Sequence, residues 1–131
     1  MKTTIIIVSL VIALLAGCQK DQQLALKEAL GDTLVIAEEV RQIELAKCLE
    51  SNGLRNGEYV DCPTADRIKK LTDRGQKIYD SGDFGGECDW LLEISGIAYD
   101  WLADKYPDKA EYRIPVALLR SRLLTACEVK K

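Results

Sequence analysis

The chain has 131 residues, 47% apolar and 30% charged, with 18 basic against 21 acidic side chains, five cysteines and no histidine. That length predicts one compact domain, and a net charge of −3 argues against a nucleic-acid partner, which calls for a basic stripe or patch. Without histidine there is no Ser-His-Asp or Cys-His nucleophile, no imidazole base and no His metal ligand, so most familiar hydrolytic chemistry is excluded.

Met1-Lys2-Thr3-Thr4 precedes an apolar run from Ile5 to Leu15 that is short for a bilayer span and has the n-region and h-region of a secretory signal. Leu15-Ala16-Gly17-Cys18 closes it and resembles the lipobox of bacterial lipoproteins. The resemblance implies that residues 1–17 are removed and that Cys18, carrying lipid, becomes the mature N-terminus and tethers the body to a membrane. In such lipoproteins aspartate after the cysteine favours inner-membrane retention. Here that position is Gln19, so the implied destination is the outer membrane, facing the periplasm.

With Cys18 lipidated, Cys48, Cys62, Cys88 and Cys127 remain, an even set that predicts two disulfides in an oxidising compartment. Four cysteines allow three pairings and the sequence does not choose among them. The helix reading below favours Cys48 with Cys127, at the ends of the first and last long helices, and Cys62 with Cys88, flanking the second. No C-x-x-C pair occurs, so no metal site is expected.

Residues 18–31 read as a tether or frayed helical start, punctuated by Gly31, and 32–131 as the helical domain. From Asp32, a good N-cap type, Ile36, Val40 and Ile43 recur at i, i+4 and i+7 in a helix running to Leu49, which Ser51-Asn52-Gly53 stops. Leu54 to Pro63 reads as a loop. A second helix begins near Thr64 with Ile68, Leu71, Ile78 and Tyr79 on its apolar face, and Gly75 sits inside it on another register. Asp80-Ser81-Gly82-Asp83-Phe84-Gly85-Gly86 is the most loop-like stretch. Glu87 to Tyr106 predicts a third helix with Leu91, Ile94, Ala98, Trp101 and Leu102 inward, ended by Pro107. After a short turn, a fourth helix is expected from Pro115, which suits the first helical position, through Cys127, burying Val116, Leu119 and Leu123. No useful strand alternation appears. The expectation is an all-α bundle of four to five helices stapled by disulfides.

The segment from Asp80 to Glu87 fails the EF-hand template, because Gly82 and Phe84 stand where oxygen ligands belong. It is read either as a solvated connector or as an acidic partner-binding loop of Asp80, Asp83 and Glu87 with Phe84, the only phenylalanine, as its anchor. Trp90, Tyr99, Trp101, Tyr106 and Tyr112 read as core, and Glu38, Glu39, Glu44, Asp100 and Asp104 as solvated faces. No carboxylate pair stands out as a catalytic acid and base, and no cofactor is expected.

Ala46-Lys47-Cys48-Leu49, Tyr79-Asp80-Ser81-Gly82-Asp83-Phe84, Tyr99-Asp100-Trp101-Leu102-Ala103-Asp104-Lys105-Tyr106 and Leu123-Leu124-Thr125-Ala126-Cys127 together resemble the small all-α periplasmic immunity proteins that neutralise type VI secretion peptidoglycan amidases. Cys62, Cys88 and lipidation are additions to that pattern. The resemblance implies a non-catalytic, homodimerising inhibitor that pushes a loop or helix into the effector's groove. A second reading is a secretion pilotin, a small helical lipoprotein with an apolar groove for a terminal peptide of an outer-membrane secretin. A third is a phage or plasmid exclusion lipoprotein.

Overall fold

The computed structural model describes the backbone of residues 2–52 and 61–128 and the side chains of residues 22–51 and 61–127. Its elements are α1 (Lys2–Asn52), α2 (Pro63–Ser81), α3 (Cys88–Lys105) and α4 (Ala110–Glu128), with no strand among the described residues. The all-α, disulfide-stapled bundle is as expected. Cys18 and the apolar run before it lie outside the described side chains, as does most of the loop read from Leu54 to Pro63.

Helix α1 does not break at Gly31, and Asp32 caps nothing. The glycine is there for close approach. A Cβ at Gly31 would come within 3.2 Å of the Tyr79 ring, and one at Gly75 within 2.9 Å of Leu34 Cδ2. Each of the antiparallel helices α1 and α2 thus offers a glycine to a large side chain of the other, and the helix propensity lost at both positions is offset by that contact. Residues 22–31 of the segment read as a tether are therefore part of the helical body, while the side chains of 18–21 are not among those described. Leu26, Ala29 and Leu30 are each 2% exposed and share a core layer with Ile78, Phe84, Leu91, Leu119 and Leu123.

Helix α2 starts one residue before Thr64, with Pro63 in the first turn and Cys62 at the N-cap, and no side chain caps it. Proline supplies a preset φ where its missing N–H costs nothing. The helix ends at Gly82, whose φ of 70° and N–H bond to the Ile78 carbonyl (3.0 Å) form a left-handed cap that a side chain would strain. Helix α4 begins at Ala110, five residues earlier than expected. Pro115 therefore lies inside the helix and leaves the Glu111 carbonyl without its i+4 donor. One lost bond near the start is tolerated because Tyr112 and Val116, on either side, are both buried. The Pro115 carbonyl itself accepts from Thr33 Oγ1 of α1 at 3.2 Å.

The disulfides join Cys48 to Cys62 and Cys88 to Cys127, with Cα separations of 5.9 and 6.0 Å. All four cysteines are paired, but the favoured pairing is corrected. Up-down packing puts the C-terminal ends of α1 and α4 at opposite ends of the bundle, so Cys48 cannot meet Cys127. Cys62 and Cys88 are likewise separated by the whole of α2, about 28 Å for its 19 residues. Each bridge instead closes one helical hairpin, α1 with α2 and α3 with α4.

Helix α1 packs against α2 and α4, and α4 against α3, while α2 and α3 have no Cα atoms within 8 Å of each other among the described residues. The core falls into two layers. The first surrounds Leu26, and the second joins Val40, Leu102, Tyr112 and Val116 near the other end. That far end is tied by Tyr106, whose hydroxyl donates to Glu44 of α1, while Lys47 Nζ lies 4.9 Å above the Tyr106 ring.

Candidate functional site

The open seam between α2 and α3 is the candidate site. Its α3 wall is the stripe Trp90, Ile94, Ile97 and Trp101, spaced i, i+4, i+7 and i+11 on one helical face. Its α2 wall is Thr64, Arg67, Ile68 and Leu71. The stripe is incompletely covered: Trp90, Ile94 and Trp101 are half-buried and Ile97 is 47% exposed. Beneath the rims lies an apolar cavity of about 130 Å³, floored by Leu34, Val40, Val116 and Leu119. Four small residues at mid-height, Ala37, Gly75, Ser95 and Ala98, leave this space between the two core layers. The Ser95 hydroxyl turns back onto the Leu92 carbonyl (3.0 Å), so it offers no polar group to the cavity. A space of this size is close to the ~150 Å³ that accepts benzene in an apolar core, which makes it a receptacle for one large apolar side chain.

The groove has a closed and an open end. At the closed end Arg74 of α2 stacks over Trp90 (4.1 Å to the ring centroid) and pairs with Glu87 at 3.0 Å. At the open end Pro63, Thr64 and Trp101 line an adjoining space of about 300 Å³. The lining is mostly aliphatic and aromatic, with Thr33, Thr64, Arg67, Thr72 and Ser95 as its polar members, an arrangement suited to binding an apolar surface. Among the described residues, no group of three or more Cys, Asp or Glu side chains could hold a metal ion.

The residues expected to form a partner loop are not assembled as one. Phe84 is 8% exposed and belongs to the Leu26 core layer, so it is corrected from surface anchor to core side chain. It holds the loop down. Asp83 is exposed and its Oδ1 accepts from the Gly85 N–H (3.0 Å), an Asx-type turn. Asp80 accepts from Gln76, and Glu87 is committed to Arg74. These acids serve the turn, the helix end and the groove's closed end. Of the aromatic set, Tyr112 is buried core as expected, and Trp90, Tyr99, Trp101 and Tyr106 are half-buried and packed against the two core layers, Trp90 and Trp101 also lining the groove.

Among the residues whose side chains are described, no helix is long and apolar enough to cross a membrane; the apolar run from Ile5 to Leu15 is not among them. Compared with protein-family models, curated proteins and solved structures, the chain matches none.

Proposed function

We propose that this protein is a non-catalytic, lipid-anchored binding protein of the outer membrane that receives an apolar helical segment of a partner in the α2–α3 groove. The single observation behind this reading is the uncovered stripe of Trp90, Ile94, Ile97 and Trp101 above an unfilled apolar cavity. A two-tryptophan stripe left half-open beside a vacant apolar space is the helix-in-groove arrangement, with aromatic anchors already in place. Of the three readings raised by the sequence, the secretin terminal peptide of the pilotin reading suits this groove best. The immunity reading calls on a projecting loop or on the exposed side of the third helix, and burial of Phe84 removes the anchor from the loop. The exposed Asp80 and Asp83 and the exposed side of α3 are what that reading retains.

Lipidation at Cys18 adds an orientation. The buried Leu26 lies eight positions after Cys18, a reach of at most about 28 Å even when fully extended. The end of the bundle holding Leu26, Phe84 and the Cys88–Cys127 bridge therefore lies at the membrane, and the groove opens at the opposite end, toward the periplasm. The test is co-purification with an outer-membrane secretin from cells expressing the wild-type chain, Ile97→Glu or Asp83→Lys. The proposal expects capture that Ile97→Glu abolishes and Asp83→Lys leaves intact. Capture of a peptidoglycan amidase that depends on Asp83 and not on Ile97 would replace it with the immunity reading.

A further inference from the structure

The two rims of the groove carry opposite charge. On α2, Arg67 lines the groove and Lys70 follows at i+3, both exposed, while Arg74 at i+7 is already paired with Glu87 at the closed end. On α3, Glu93, Asp100 and Asp104 lie at i−4, i+3 and i+7 from the groove residue Ile97, and all three are exposed. Two other charges of α2, Lys69 and Asp73, act on Glu38 and Arg41 of α1. Along its open length the groove is therefore an apolar trough between a basic edge and an acidic edge.

Resting on the groove reading above, we infer that the occupant is an amphipathic helix with a large apolar stripe, acidic residues along one flank and basic residues along the other. The apolar stripe fills the cavity, the acidic flank lies against Arg67 and Lys70, and the basic flank against Glu93, Asp100 and Asp104. A helix with two acidic or two basic flanks meets one rim of its own sign, which costs affinity and slows encounter. Exchanging the two flanks is equivalent to turning the helix end for end, so the rims also set the direction in which it lies. A second copy of this chain carries complementary rims about a two-fold axis parallel to the helices. In that arrangement groove faces groove, and both cavities stay unfilled between apolar walls, a loss of close packing that a single inserted helix avoids.

The groove supplies its own reporter, because Trp90 and Trp101 are the chain's two tryptophans and both line it. The full chain, purified in detergent, is titrated with synthetic helical peptides of about 18 residues, long enough to span the trough. Three peptides share one leucine stripe and differ only in flanks: acidic and basic, both acidic, or both basic. The expected result is a change in tryptophan emission with the mixed-flank peptide binding about tenfold more tightly than either same-sign peptide, as several rim pairs acting together allow. In Arg67→Glu/Lys70→Glu the preference should move to the peptide with two basic flanks. Equal binding of all three peptides, or a ranking that this double variant leaves unchanged, overturns the charge rule while the groove stands. No emission change with any peptide overturns the groove reading itself. Sedimentation of the peptide-free chain as a dimer that Ile97→Glu dissolves would assign the groove to a second copy and overturn the inference.

Discussion

Leu26→Ala separates the bundle described here from a domain hung on a loose tether. Leu26 is 2% exposed, in a layer with Ala29, Leu30, Leu119 and Leu123, while Leu24, two residues earlier, is 58% exposed. Truncation removes three carbon groups at about 0.8 kcal/mol each. The hole left among neighbours that relax only in part brings the total to about 3–4 kcal/mol. With an m-value of about 1.5–2 kcal/mol/M for a domain of this size, the urea midpoint should fall by about 2 M. Leu24→Ala should stay within about 0.5 kcal/mol of wild type. Equilibrium urea unfolding of the oxidised chain, followed by far-ultraviolet circular dichroism, reads both. If Leu26→Ala unfolds at the same urea concentration as Leu24→Ala, residues 22–31 are not part of the core and the membrane-end geometry derived from them fails.

Three other outcomes are expected. Non-reducing peptide mapping should recover Cys48 linked to Cys62 and Cys88 linked to Cys127, and a Cys48–Cys127 peptide would contradict the up-down topology. Replacing Cys88 and Cys127 by alanine should cost about 4 kcal/mol against about 3 for Cys48 and Cys62, since the first bridge closes the longer loop (separations 39 and 14); equal urea midpoints for the two variants would count against the chain-entropy account. Burial and the Glu44 carboxylate hold the Tyr106 phenol protonated well above the ordinary tyrosine range. Unfolding therefore frees a group that ionises near pH 10, so stability should be complete below that pH and fall as pH rises beyond it. Tyr106→Phe should lose about 1–2 kcal/mol at pH 7 and show a shallower alkaline decline, both read by urea unfolding across pH 7–11.

Much of this fold is legible in the sequence because its helices obey local rules. Val116, Leu119 and Leu123 recur at helical spacing and are buried, Pro107 ends α3's run, and Gly82 is where the chain must turn with positive φ. The misreadings share a cause. In the sequence Gly31 reads as punctuation and Pro115 as a start because both residue types break isolated helices. Here Tyr79 lies against Gly31, and the burial of Tyr112 and Val116 holds the backbone through Pro115. The disulfide pairing needed the relative direction of distant helices, which apolar periodicity does not carry.

The groove was hidden for a different reason. Ile94, Ala98 and Trp101 have the spacing of a core face, and periodicity reports that a face is apolar without saying which helix covers it. In this chain α4 packs on one side of α3, and among the described residues no helix brings its Cα atoms within 8 Å on the other. The one available signal was Ile97 beside that stripe, which widens the apolar arc beyond what a single neighbouring helix buries. Phe84 misled in the opposite sense, since a glycine-rich setting suggested an exposed tip while its ring packs under the loop into the Leu26 layer.

The central claim, that a partner helix occupies the α2–α3 groove, is tested most directly by placing a photoreactive amino acid at Ile97 and, in a separate strain, at Ile114. Ile114 is 63% exposed on α4 and belongs to neither wall of the groove. Irradiated cells should yield one discrete crosslinked adduct from position 97, lost when Trp101→Glu is added, and none from position 114. An adduct from position 114 with none from position 97 would contradict the claim.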